Sequence, residues 1–128
     1  MRIPVLGALV ALSGLSAGYA SADKPNDVVV RIAQIDIDPD QLAAYQAAVR
    51  EEMDTSVRTE PGVISIYSVA EKDHPNRLHF FEIYASDAAY RSHIASAHFR
   101  KYVAITQSMI LSRKLIETEP VQLGAKQP

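Results

Sequence analysis

Apolar residues follow two different periods along the chain, and the changes of period mark the secondary-structure elements. Four segments are rich in β-branched residues and partly alternate between apolar and polar positions, which predicts β-strands. Between them, apolar residues recur three or four positions apart, which predicts amphipathic helices. The predicted strands cover residues 28–37, 63–70, 77–84 and 113–121.

The first predicted helix has a start signal and a stop signal. Asp38 suits the N-cap, Pro39 the first helical position and Gln41 the place of a capping-box partner. The helix ends before residues 60–62 (Glu-Pro-Gly), because proline disfavours helical geometry in the preceding residue and glycine permits the chain to reverse. The apolar stripe that we expect to face the core consists of Leu42, Tyr45, Val49, Met53 and Val57.

Two serines mark the starts of the later helices. Ser86 can cap a short helix over residues 87–95, and Ser96 can cap a second helix directly after it. In this last helix the predicted inward stripe consists of Phe99, Tyr102, Val103, Thr106, Met109 and Ile110.

The order of the elements is strand, helix, strand, strand, helix, strand. This order predicts an α+β fold of the ferredoxin-like, split βαβ type, with a four-stranded antiparallel sheet and the helices on one face. The other face is left bare and is too apolar to prefer water, so we predict a homodimer through this open sheet face. The residues that we assign to the open face include Arg31, Ile64, Ile66, His79, Phe81 and Ile83.

The first 22 residues differ from the rest of the chain. A short positive start, an apolar core at residues 5–15 and the small residues 20–22 (Ala-Ser-Ala) are typical of a secretory signal peptide. A membrane anchor is the alternative, but the apolar run is shorter than the about 20 residues that span a bilayer. We therefore predict an exported protein of a bacterial periplasm without a stable membrane anchor, with a flexible leader at 23–27, one domain at 28–121 and a disordered tail at 122–128.

The composition fits one globular domain, with 48% hydrophobic and 22% charged residues. The chain has no cysteine, so disulfides cannot stabilise it. A formal net charge of −2, with acidic and basic residues interspersed, argues against nucleic acid as a partner.

Candidate chemistry is concentrated in residues 77–110. Phe80, Glu82 and Tyr84 share one face of the third strand because strand side chains alternate. His93 and His98 follow in the predicted helices. On one continuous helix these two histidines, five residues apart, would point about 140° apart, so no metal site is predicted.

The predicted strand at residues 80–84 reads Phe-Phe-Glu-Ile-Tyr, and residues 86–90 read Ser-Asp-Ala-Ala-Tyr. They are followed by His93, Ser96, His98, Phe99 and Tyr102. This segment resembles the antibiotic biosynthesis monooxygenase family. The resemblance runs from about residue 28 to residue 121 and includes Glu-Pro-Gly at 60–62. It implies a dimeric α+β barrel. Members of this family include cofactor-independent oxygenases of quinols and polyketides, haem-degrading enzymes, an isomerase branch and many proteins without a known activity.

Two branches fit this sequence less well. The haem-degrading branch usually carries tryptophan where this chain has Tyr84, and a haem-ligating histidine near the position of Val103. The isomerase branch resembles the chain well over residues 84–102, but its substrate is a cytoplasmic sugar phosphate and this chain is predicted to be exported. The resemblance therefore implies a quinol-type monooxygenase that uses molecular oxygen and no cofactor.

Such an enzyme needs an apolar cavity, a base and a group that holds the oxyanion. We assign His98, His93 and Glu82 as candidate catalytic residues, and the start of a helix favours a neutral imidazole at His98. Structural roles stay open for all three, including a hydrogen bond from His93 to Glu82. The candidate substrate-binding residues are Tyr84, Tyr67, Phe80 and Tyr90. A non-enzymatic module that binds a small aromatic molecule is the second hypothesis, and a dimer with only a structural role is the third.

Overall fold

The computed structural model describes residues 27–128, so the predicted signal peptide and residues 23–26 of the leader lie outside the described part. No helix within residues 27–128 combines the length and the apolar character needed to cross a membrane. The elements are β1 (Val29–Ile37), a 3-10 turn (Pro39–Gln41), α1 (Leu42–Thr59), β2 (Val63–Ala70), β3 (Arg77–Tyr84), α2 (Asp87–Ile94), α3 (Ala97–Thr106) and β4 (Ile110–Glu117).

The four strands form one antiparallel sheet in the order β2-β3-β1-β4. Sheet residues such as Ile35 and Leu78 form one core with helix residues such as Tyr45 and Tyr102, so the helices cover a single face. This is the predicted ferredoxin-like α+β fold. Because β1 and β3 are the central strands, their helix-facing side chains lie deepest in the molecule.

The helix starts follow the predicted caps. The Asp38 carboxylate accepts a hydrogen bond from the backbone N–H of Asp40 at 3.0 Å, and the chain makes a 3-10 turn before α1 begins. The Ser86 hydroxyl accepts from the N–H of Ala89 at 3.1 Å, and the Ser96 hydroxyl accepts from the N–H of Phe99 at 3.3 Å. Each cap satisfies a backbone donor that the helix itself leaves without a partner.

Gly62 ends the reversal after α1 for a different reason than predicted. Neither Gly62 nor any other residue in the described part has a positive φ, so backbone freedom is not what the position requires. A Cβ at Gly62 would instead lie 2.4 Å from the Cβ of Ala89. The glycine is needed because the start of β2 passes against α2 without room for a side chain.

The inward stripe of α1 differs from the predicted one in its second half. Tyr45 and Val49 are buried as expected, but Val57 is 49% exposed. Glu52 and Ser56 take the buried positions, at 7% and 0% exposure. The apolar pattern was misleading here because the two buried polar side chains have polar partners: Ser56 donates to Glu52 on the same helix, and Glu52 lies 3.4 Å from Nε2 of His93 on α2.

The assignment of Arg31 and Ile66 to the open face is wrong. In the sheet register Glu82 of β3 pairs with Arg31 of β1 on one side and with Ile66 of β2 on the other. Both residues line the space under the helices. The register places His79, Phe81 and Ile83 on the open face, as predicted. Apolar side chains that remain exposed on that face are Tyr67 at 63%, Val69 at 64%, Phe81 at 37% and Ile116 at 38%.

The last strand begins and ends earlier than predicted. α3 stops at Thr106, and Ile110 pairs with Ile37 in the sheet instead of extending the helix. Residues 107–109 make the turn, in which the carbonyl of Met109 accepts from the N–H of Asp38 at 2.8 Å. The strand ends at Glu117, three residues before Pro120, and the Thr118 hydroxyl donates to the carbonyl of Val30 at 2.8 Å.

Candidate functional site

A cavity of about 190 Å³ lies between the covered face of the sheet and the helices. Most of its wall is apolar, and its aromatic residues are Phe80, Tyr84, Tyr90, Phe99 and Tyr102. Its polar and charged residues are Arg31, Glu52, Glu82, His93, Arg113 and Glu117. An apolar cavity with a few converging polar groups is the usual form of a small-molecule site.

The cavity brings together most of the residues proposed from the sequence. Glu82, His93 and the three predicted aromatic contacts Phe80, Tyr84 and Tyr90 all line it. His98 lies outside the cavity wall, and Tyr67 lies on the open face of the sheet. These two residues therefore have no contact with a molecule in this cavity within one chain.

Glu82 and Tyr84 form a hydrogen-bonded pair in the cavity wall. The Tyr84 hydroxyl donates to Oε2 of Glu82 at 2.9 Å. Burial raises the pKa of Glu82 above its usual value, although the hydrogen bond from Tyr84 opposes the shift. Burial also raises the pKa of Tyr84, and the neighbouring Glu82 carboxylate adds to the rise. This pair can hold or accept a proton next to a bound molecule.

His93 is almost fully enclosed, at 2% exposure. Its Nδ1 lies 2.8 Å from Oε2 of Glu60, and its Nε2 lies 3.4 Å from Oε1 of Glu52. The rings of Tyr84 and Phe99 pack against the imidazole, with ring centroids 5.2 Å and 5.1 Å away. The sequence-based hydrogen bond to Glu82 is therefore not formed, because two other carboxyl groups hold the imidazole.

His98 converges on the same carboxylate. Its Nε2 lies 2.7 Å from Oε2 of Glu60, and its ring centroid is 6.2 Å from that of His93. The divergence of about 140° holds for one continuous helix and does not apply here, because the chain forms two helices, as the caps at Ser86 and Ser96 predicted. α2 ends at Ile94, and Ser96 begins α3 in a new direction.

Glu60 determines which ring nitrogen of His93 and which of His98 carries the proton. Burial raises the pKa of Glu60, but the hydrogen bonds from His93 and His98 outweigh it and bring the pKa below its usual value. An ionised carboxylate can only accept hydrogen bonds, so Nδ1 of His93 and Nε2 of His98 are the protonated nitrogens. When neutral, His93 therefore has its lone pair on Nε2, which lies 3.4 Å from Oε1 of Glu52.

A scan against family models matches residues 28–105 to the model described as antibiotic biosynthesis monooxygenase. The match covers more than half of the chain. The chain belongs to the antibiotic biosynthesis monooxygenase family.

Solved structures of this family have the same fold. A structure from Bacteroides thetaiotaomicron with the same family name is 45% identical, with a TM-score of 0.76, and the match covers 80% of this chain and 97% of that one. A monooxygenase-type structure from Lactobacillus acidophilus is 30% identical, with a TM-score of 0.71; the match covers 77% of this chain and 47% of that one, about half its length. A family structure from Nitrosomonas europaea is 21% identical, with a TM-score of 0.71, and the match covers 77% of this chain and 94% of that one. At this identity the similarity shows the fold alone. A search of curated proteins found no match.

Three residues that organise the site of this family member were not candidates from the sequence. Glu52 lies three residues after Val49 on the buried side of α1, and Ser56 follows one turn later and donates to Oε1 of Glu52 at 2.7 Å. Glu60 was interpreted as part of the helix stop and of the family resemblance, and not as a site residue. A polar residue at a core position of a helix is the signal that could have identified Glu52.

Arg31 completes the charged part of the cavity wall. The guanidinium of Arg31 lies 4.7 Å from the ring centroid of Tyr90. Its Nη2 lies 3.8 Å from Oε1 of Glu117. The cation–π contact positions Tyr90 beside the cavity. Arg31 also opposes the burial-driven rise in the pKa of Glu82.

Proposed function

We propose that this protein is a cofactor-independent monooxygenase that oxidises a quinol or a similar electron-rich aromatic molecule with molecular oxygen. The observation that carries the proposal is the environment of His93. A carboxylate, Glu60, holds one nitrogen of its imidazole, while the ring forms part of the wall of an aromatic-lined cavity. A carboxylate-oriented imidazole is a common arrangement for a general base.

The size and lining of the cavity fit an aromatic substrate. An apolar cavity of about 150 Å³ accepts benzene, so a cavity of about 190 Å³ accommodates one substituted ring. Phe80 and Tyr90 offer ring faces for packing. Glu82 and Tyr84 offer a proton-bearing pair that can hydrogen-bond a substrate oxygen.

In the proposed reaction, Nε2 of His93 removes the proton of a substrate hydroxyl group. The resulting anion passes one electron to oxygen, and the radical pair combines as a peroxide on a ring carbon. Loss of water then leaves a hydroxylated quinone. One quinol and one oxygen molecule thus give one hydroxyquinone and one water, and the four electrons lost by the quinol reduce both oxygen atoms.

An oxygen electrode with a panel of quinols tests the proposal. We expect oxygen uptake by the wild-type protein and a loss of roughly a hundredfold or more in His93→Gln, the usual contribution of a general base. His74→Ala is the matched control, because His74 is exposed in the turn between β2 and β3. A folded protein that consumes no oxygen with any quinol, or a His93→Gln variant as active as wild type, contradicts the proposal.

The same cavity supports a second candidate function, the binding of a small aromatic molecule without chemistry. Its largely apolar wall is the observation in favour, because binding alone needs no proton transfer. In that case aromatic ligands raise the melting temperature without oxygen uptake, and Tyr84→Ala abolishes the rise.

Export and dimerisation are further parts of the proposal. The signal-like pattern of residues 1–22 supports export to a periplasm, and the sequence of the mature amino terminus tests it. The exposed apolar side chains Tyr67, Val69 and Phe81 on the open sheet face support a homodimer. Light scattering of the purified protein measures that oligomeric state.

A further inference from the structure

Four side chains of the site form a cluster of imidazole and carboxyl groups: Glu52, Glu60, His93 and His98, called here the histidine–glutamate cluster. One donor atom from each of Glu52, His93 and His98 lies within 4.8 Å of the other two. These three residues come from α1, α2 and α3, so the fold itself holds them together. Two imidazoles and a carboxylate are a ligand set found for transition metals in proteins.

The spacing within the cluster fits a metal ion. Oε1 of Glu52 and Nε2 of His93 are 3.4 Å apart. Two ligands of a tetrahedral zinc ion, each about 2.1 Å from the metal, lie about 3.4 Å from each other. The third donor, on His98, lies at most 4.8 Å from the other two, so the His98 side chain has to move toward them to complete the shell.

The surroundings of the donors are also those of a metal site. Glu60 accepts the hydrogen bond from Nδ1 of His93, which leaves Nε2 for a metal ion, and the Ser56 hydroxyl donates to the ligand oxygen of Glu52. Such outer contacts orient the ligands of metal sites. His98 is the partly exposed member of the set, and a small surface depression beside it and Glu52 offers a path from solvent.

Charge favours a cation at this place. Within residues 27–128, His93 and His98 are the only basic side chains within 4.0 Å of the carboxyl oxygens of Glu52 and Glu60, and neither glutamate pairs with lysine or arginine. The side chains of Glu52 and Glu60 are 7% and 15% exposed. Burying ionised carboxyl groups to this extent is unfavourable in free energy unless a positive charge compensates them. A divalent ion supplies more of that charge than an imidazole proton.

We propose that Glu52, His93 and His98 bind a divalent first-row transition metal ion, with Glu60 orienting His93 from outside. Both Glu52 and His93 also line the cavity, so an open coordination position would face a molecule bound there. The proposal does not depend on the oxygenase reaction. A metal ion on Nε2 of His93 takes the lone pair of the proposed base, so we expect added metal to inhibit cofactor-free oxygenation.

Titration of the full chain with Zn²⁺ and Co²⁺ tests the site. The protein is made without a histidine tag and is freed of metal with a chelator that is then removed. We expect one ion per chain by calorimetry, the visible absorption of four-coordinate Co²⁺, and a higher melting temperature with Zn²⁺. His98→Ala and Glu52→Gln, each checked for folding by circular dichroism, should weaken binding by about tenfold or more.

His79→Ala is the matched control. His79 and Glu71 form a comparable pair, with Nε2 and Oε2 2.8 Å apart, but no third donor completes a site within the described residues. This variant should bind zinc as wild type does. The proposal is overturned if the metal-free protein binds no ion, or if affinity is the same in folded His98→Ala, folded Glu52→Gln and His79→Ala.

Discussion

Replacing Glu60 by glutamine tests whether one charged group holds the two histidines in place. Glutamine has nearly the same shape, and its oxygen can still accept from Nδ1 of His93 and Nε2 of His98. What the variant loses is the negative charge. Hydrogen bonds to a charged group contribute about 1.5–3 kcal/mol, and those between neutral groups about 0.5–1.5 kcal/mol. The difference is about 1 kcal/mol per bond, or about 2 kcal/mol for the two bonds of Glu60.

Urea unfolding at pH 7 measures this difference, with EDTA present so that no metal ion contributes. Glu71→Gln is the control, because Glu71 contacts one histidine, His79, and more distantly Arg77 at 3.8 Å, and its side chain is 36% exposed. An exposed pair of this kind contributes about 0–1 kcal/mol. Equal free energies of unfolding for wild type and Glu60→Gln would refute the reasoning, as would an equal loss in the two variants.

The effect of Glu60→Gln should also depend on pH. The hydrogen bonds from His93 and His98 outweigh burial and lower the pKa of Glu60 from 4.5. The stabilisation by the carboxylate is therefore complete above pH 4.5 and is lost as the pH falls through the lower folded-state pKa. Because the variant lacks this group, its deficit relative to wild type should shrink below pH 4.5.

Two further substitutions test the packing and the cavity. Gly62→Ala places a methyl group against Ala89 and should lower the free energy of unfolding by about 1–3 kcal/mol. Adding Ala89→Gly to the same chain should restore part of this loss. An unchanged free energy of unfolding in Gly62→Ala would contradict the close approach of β2 and α2. Glu82→Gln should gain stability relative to wild type as the pH rises above 4.5, because burial raises the pKa of Glu82 and its ionised form is disfavoured in the folded state. Thermal unfolding from pH 4 to pH 8 measures this trend, and a constant difference would contradict it.

Most of the fold follows from local patterns in the sequence. The second and third strands have the predicted bounds, 63–70 and 77–84, and the three helices begin near their predicted caps. These signals are short-range, since an alternating strand or a serine cap involves residues at most four positions apart. The last strand was predicted less well, because the apolar spacing through Met109 and Ile110 also suits a helix, and only pairing with β1 decides between them.

The candidate site was predicted in part. Phe80, Glu82 and Tyr84 face the same cavity because their alternation in β3 requires it, and the structure brings His93 and Tyr90 to the same wall. Tyr67 could not be placed, because a register shift between Val63 and Ser65 in β2 changes which residues face the helices. A single-residue shift moves a strand side chain from one face of the sheet to the other.

By itself, the sequence determined the elements, their order and the identity of the reactive groups in residues 77–98. Only the tertiary structure decided which of these groups meet. The break between α2 and α3 turns His98 back toward His93, and the end of α1 brings Glu60 between them, although 33 residues separate Glu60 from His93. Contacts across such distances depend on how helices pack on the sheet, and no local pattern of residues encodes that packing.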